Sequence, residues 1–193
     1  MFIIEILMLS FSHYFIMLLI LLGYFGYLYF QNIKIDNLGK CLVLIFWFYI
    51  FGVWTMTGIK PLSNFAPTLI AIPFLEFRQQ WLEMCLNVFL FIPLGLFLPM
   101  MYPYYAKEIR VIKVGLLLSL SIEMLQMFGM GITDINDLIS NTVGAYLGFK
   151  LYKCLIKCFK DETLKKLHIM SMTSRLEFVI LLVISIVIML VLH

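Results

Sequence analysis

The chain has 193 residues, of which 63% are hydrophobic and only 13% charged; its mean hydropathy is +1.03. Soluble domains run nearer half apolar and a quarter charged, and a globule of this size has too little interior to hide the excess. An ordinary soluble enzyme, a disordered chain and a disulfide-rich secreted scaffold are therefore excluded, and lipid has to be the main solvent. The net charge of +3 is too small to argue for a nucleic-acid partner.

A membrane helix needs ~20 mostly apolar residues. Six stretches qualify in chain order: Tyr14 to Phe30, Cys41 to Ile59, Leu82 to Tyr102, Ile109 to Gly129, Asp134 to Tyr152 and Glu177 to Leu192. The expected fold is an all-α polytopic membrane bundle forming one domain over 1–193. The first stretch does not read as a signal peptide. No Lys or Arg precedes it, and no small-residue cleavage site follows Phe30. Residues 2–9 are also apolar, so the first helix can begin earlier.

Lys and Arg concentrate on the cytoplasmic side of membrane proteins. The stretch after the fifth span holds Lys150, Lys153, Lys157, Lys160, Lys165, Lys166 and Arg175. Placing it inside also puts Lys107, Arg110, Lys113, Lys34 and Lys40 inside, and leaves only Lys60 and Arg78 outside. Both termini are then predicted to be extracellular. Residues 150–176 form a basic cytoplasmic linker. Within it, Lys150, Lys153, Lys157 and Lys160 recur at helical spacing with apolar residues between them. This suits a helix lying on the inner membrane surface as an orientation anchor.

The segment 60–81 between the second and third spans carries Pro61, Pro67 and Pro73 among apolar residues. Proline removes backbone donors and breaks helices. The segment is expected either to dip into the interface or protein, or to serve as a plain linker. The four cysteines, Cys41, Cys85, Cys154 and Cys158, contain no Cys-x-x-Cys pair, and are expected to be buried thiols acting as small apolar residues.

Several polar residues fall where lipid should be. A charge there costs roughly 2.5–3.5 kcal/mol on insertion scales, so such groups turn toward protein or a water-filled cavity. Glu123 and Gln126 are three apart in the fourth span, on one helix face. Asp134, Asp137 and Asn141 share a face of the fifth, continued by Gly144 and Gly148. In the third, Glu83 and Asn87 are four apart. At ~1.5 Å per residue, Asn87, Glu123 and Asn141 each lie about 10 Å below the outer end of their helices. Glu76, Arg78, Glu83, Asp134 and Asp137 would ring the opening above them. The inference is a polar pocket open to the outside or to the outer leaflet. The amides also suit plain inter-helix hydrogen bonding, and the two glycines suit helix packing. The acids fit that plain role less easily, because Arg78 and Lys60 are the only bases on their side.

At these residues the sequence resembles the VanZ-like family of bacterial membrane proteins. The stretch Asn87-Val-Phe-Leu-Phe-Ile-Pro93-Leu-Gly95 is followed by Glu123-Met-Leu-Gln126. Asp134-Ile-Asn-Asp137-Leu-Ile-Ser-Asn141-Thr-Val-Gly144 then follows, with Gly148 beyond. The strongest likeness runs over about 82–150, within a VanZ-like core of about 41–152. Ile72-Pro73-Phe74 resembles the end of the family's loop motif, without the asparagine that usually precedes it. Gly131 stands where the family often has an arginine, and Asn136 where an acid is usual between the two aspartates.

The resemblance implies a cell-envelope membrane protein of the type linked to low-level resistance to teicoplanin, a glycopeptide antibiotic carrying a lipid tail. The leading reading is a pocket that handles a lipid or lipid-linked envelope precursor at the outer leaflet, through Asn87, Glu123, Gln126, Asp134, Asp137, Asn141 and Arg78. A second reading is an intramembrane enzyme acting on a lipid head group, with Glu123, Asp134 and Asp137 as the acid–base candidates. No resident cofactor is expected, although an all-oxygen set of this kind suits Mg²⁺ or Ca²⁺. No Ser-His or Cys-His arrangement is visible, since His13, His168 and His193 lie away from the cluster. A third reading is a small transporter. The inner half of the fifth span offers no matching polar track for it.

Overall fold

The computed structural model describes residues 2–32, 36–56, 68–70, 77–128, 132–158 and 174–192. These contain six α-helices: α1 (Phe2–Phe30), α2 (Asn37–Met56), α3 (Phe77–Met101), α4 (Glu108–Phe128), α5 (Ile135–Cys158) and α6 (Ser174–Leu192). A short 3₁₀ turn (Pro103–Tyr105) joins α3 to α4. Two three-residue strands, β1 (Thr68–Ile70) and β2 (Ile132–Asp134), complete the described elements.

Each predicted span lies largely within one of these helices, so the helical class holds. The ends are set by local chemistry. α1 closes at Asn32, whose φ of 59° is the left-handed conformation that asparagine tolerates. Asp36 starts α2: its carbonyl accepts from the Lys40 amide at 3.0 Å, and its carboxylate accepts from the Asn37 amide at 2.8 Å. The first is the opening bond of the helical ladder, and the second satisfies a donor that a helix start leaves open. Pro103 occupies the first position of the 3₁₀ turn, where a missing N–H costs nothing. Pro93 and Pro99 lie inside α3, and the helix carries through both.

α2 and α3, the latter over Trp81–Met101, are long and apolar enough to cross a membrane by length and composition. Tyr14–Phe30 and Glu177–Val191 are shorter apolar runs among the described residues. α5 continues unbroken through Cys158, so the start of the basic stretch prolongs that helix. Lys160, Lys165 and Lys166 lie outside the described residues, as do Pro61, Pro67 and Pro73.

The core forms where α1, α2 and α6 meet the end of α3. Phe178 packs 5.4 Å from Tyr105, 5.8 Å from Tyr102 and 6.1 Å from Trp47 between ring centroids. Such offset and edge contacts suit the aromatic quadrupole. Hydrogen bonds tie the helices crosswise. Tyr14 Oη donates to the Leu44 carbonyl at 2.8 Å, and Tyr49 Oη donates to that of Leu90 at 2.7 Å. Trp54 Nε1 donates to Ser185 Oγ at 3.2 Å.

α3 and α5 are the most closely packed helix pair, and glycine makes this possible. A Cβ at Gly144 would land on the Val88 carbonyl, one at Gly148 on that of Ile92, and one at Gly95 on that of Ala145. Backbone therefore rests on backbone across this interface, the arrangement small residues permit. The packing role expected for Gly144 and Gly148 has Gly95 as its counterpart on α3.

The cysteines depart from expectation. All four are free and exposed, and Cys85 lines the groove that α3 forms with α5. A small apolar thiol serves on an exposed face as readily as in a core. The loop after α2 also acquires structure at one point. Thr68, Leu69 and Ile70 pair in parallel with Ile132, Thr133 and Asp134, stitching the start of α5 to that loop.

Candidate functional site

α2 and α4 finish at one end of the bundle, and α3 and α5 begin there. Between these ends lies a cavity of about 580 Å³. Glu83, Asn87 and Leu90 face it from successive turns of α3, and Asp137 and Asn141 from α5. From α4 come Ile122, Glu123 and Gln126, while Met56 closes it at the end of α2. The i, i+3 and i, i+4 spacings seen in the sequence place each set on one helix face.

Polar contacts hold this constellation. Asn87 Nδ2 donates to Asp137 Oδ1 at 2.7 Å, joining α3 to α5. Asn141 Nδ2 donates to Ser119 Oγ at 2.9 Å, joining α5 to α4. The Asp134 amide donates to Glu123 Oε2 at 3.1 Å, so the α4 carboxylate also anchors the strand that leads into α5. Asn141 is 3% exposed, and its Oδ1 has no hydrogen-bond partner among the described residues. A buried acceptor left so costs ~1–3 kcal/mol.

The structure thus brings together Asn87, Glu123, Gln126, Asp137 and Asn141, five of the seven residues expected to form the pocket. Asp134 stands apart from the lining. It is buried, and its Oδ1 accepts from the Asn136 amide at 2.8 Å. This is helix capping one residue before α5. Arg78 lies in the first turn of α3, but its side chain is outside the described residues, as is Glu76.

Two contributors escape the sequence reading. Ser119, the buried partner of Asn141, precedes Glu123 by four residues, so its place on the same side of α4 was open to a periodicity argument. Phe89 is 69% exposed and borders both the acidic cavity and a separate apolar groove of about 410 Å³ between α3 and α5. Nothing in its sequence context separates it from the other phenylalanines of the span.

The lining offers three carboxylates, Glu83, Glu123 and Asp137, and no Lys, Arg or His among the described residues. No three His, Cys, Asp or Glu side chains among those residues are grouped to hold a metal ion. The arrangement can accept hydrogen bonds and attract positive charge, beside apolar walls that suit a hydrocarbon.

Comparison with known proteins adds three findings. The model of the VanZ/LLP1 family matches residues 15–157, a span that contains every described cavity residue. Protein VanZ of Enterococcus faecium is 34% identical over 136 residues, covering 68% of this chain and 81% of that protein. No solved structure matches the chain significantly.

Proposed function

The chain belongs to the VanZ/LLP1 family, and from that premise we propose that it is a cell-envelope membrane protein whose acidic cavity handles a lipid or lipid-linked envelope component. Lowered susceptibility to teicoplanin-type lipoglycopeptides is the phenotype this role would produce. Such drugs act on lipid-linked wall precursors at the outer leaflet, where a cavity in the outer half of the membrane would meet the same molecules.

The membrane arrangement proposed is six spans with both termini outside. Large apolar side chains turned outward on the helices support it: Phe30 is 84% exposed, Phe89 69% and Val191 74%. Lipid is the solvent that suits such surfaces. The distribution of basic residues supports the orientation, with twelve on the inner side and two on the outer. In that orientation the cavity opens outward.

One observation carries the reading. Polar residues from three helices, Asn87, Glu123 and Gln126, Asp137 and Asn141, line one cavity with apolar walls, the mixture that binding sites for amphiphiles need. The test is teicoplanin susceptibility in a strain that depends on this protein for protection. Glu123→Gln and Asp137→Asn are expected to abolish protection at unchanged expression; full protection by both variants rejects the cavity as the site of action.

Glu123 and Asp137 line one cavity, and this also favours a second reading, acid–base chemistry on a lipid head group. A lipid profile distinguishes the two. A modified lipid missing from both the deletion strain and Glu123→Gln indicates an enzyme, and an unchanged profile indicates binding alone.

A further inference from the structure

Resting on the reading that the cavity receives an amphiphile, we infer that the head group it selects carries a primary ammonium, making the ligand an amino-lipid. Three features of the site converge on this. The lining holds Glu83, Glu123 and Asp137 with no base among its described residues. A phosphate presented alone would lie against like charge, whereas an ammonium meets opposite charge. Asn141, 97% buried by its 3% exposure, leaves Oδ1 without a hydrogen-bond partner among the described residues and lines the cavity. An unpartnered acceptor calls for a donor, and a primary ammonium brings three N–H groups with no acceptor to compete. A quaternary trimethylammonium has the charge but no N–H, and would leave Asn141 as it stands.

The hydrocarbon end also has a path. Leu86, 59% exposed, and Phe89, 69% exposed, form the outward wall of α3. Phe89 continues from the acidic cavity to the apolar groove lined by Trp81, Val88 and Val143. A chain attached to a head in the cavity leaves over Phe89 and lies in that groove. Ammonium at the carboxylates and chain at Phe89 is the orientation that satisfies both charge and burial.

The test is lipid retention by the full chain purified in detergent and titrated with phosphatidylethanolamine, phosphatidylcholine or phosphatidylglycerol of identical acyl chains. Bound lipid is counted by native mass spectrometry. The expected result is at least tenfold preference for the ethanolamine lipid over both others. Asp137→Asn and Asn141→Leu should each reduce that preference several-fold, in variants that elute as a single species with unchanged helix content. Should Asn141→Leu fail to fold, Asp137→Asn alone carries the variant arm. Equal retention of all three lipids by the wild-type chain overturns the ammonium assignment while leaving amphiphile binding standing. Retention of none overturns both. Preferred retention of phosphatidylglycerol overturns the charge argument directly.

Discussion

Asn87 Nδ2 lies 2.7 Å from Asp137 Oδ1, so one hydrogen bond both joins α3 to α5 and orients an acid of the cavity. A bond to a charged acceptor contributes about 1.5–3 kcal/mol. Asn87→Ala should therefore destabilise the purified protein by an amount in that range. Asn87→Asp should cost more, because it sets two carboxylates side by side. Combining Asn87→Asp with Asp137→Asn should recover most of the loss. Thermal denaturation in detergent, read as a double-mutant cycle, checks this; purely additive losses would show that the pair is not coupled.

The glycines of the α3–α5 interface should be intolerant in a position-specific way. Gly144→Ala and Gly148→Ala each place a Cβ on an opposing carbonyl, and overpacking of this kind costs about 1–3 kcal/mol or more. Gly26 has no atom of the described residues within 4 Å of an added Cβ. Gly26→Ala should thus be neutral or stabilising by up to about 1 kcal/mol, the propensity difference in a helix. A lower melting temperature for Gly26→Ala than for Gly144→Ala would contradict the packing described.

Asp134 should behave as a cap. Asp134→Ala is expected to cost about 0.5–2 kcal/mol, while Asp134→Asn and Asp134→Ser keep most of the stability, since each retains a side-chain oxygen for the amide two residues on. Asp134→Asn should also keep drug protection where Asp137→Asn loses it. A loss of protection in Asp134→Asn without a change in melting temperature would place Asp134 among the ligand-binding groups instead.

Cys158 reports the orientation, because it is exposed at the end of α5 opposite the cavity. In a variant that retains only this cysteine, an impermeant thiol reagent should leave intact cells unlabelled and react after permeabilisation. Labelling of intact cells would invert the proposed topology.

Much of the helical architecture was legible because apolar runs bounded by polar, proline and basic segments leave few alternatives. Their ends moved where a side chain decided them, as Asp36 does for α2 and Asn32 for α1. The cavity was legible in part for a similar reason. Glu123 with Gln126, and Asp137 with Asn141, are costly in an apolar solvent unless they face one another across helices. Asp134 carried the same signal yet does a different job. Periodicity cannot tell a face-sharing acid from one just before the helix, although aspartate preceding a helix is a capping preference in its own right. The pairing of Thr68–Ile70 with Ile132–Asp134 was hidden altogether, because a three-residue bridge between distant loops leaves no period to detect. The outward cysteines misled for a physical reason: the preference of thiols for apolar surroundings says nothing about whether protein or lipid supplies them.

The parallel pairing of β1 with β2 has a consequence for how the molecule can be divided. The two strands bracket α3, the 3₁₀ turn and α4, so the chain returns to its own loop only after passing down and back through the bundle. A nick at the 3₁₀ turn would leave one strand on each fragment, together with opposite sides of the glycine seam. The two halves would then carry matching addresses for reassembly, and co-expressed fragments should find each other without a linker.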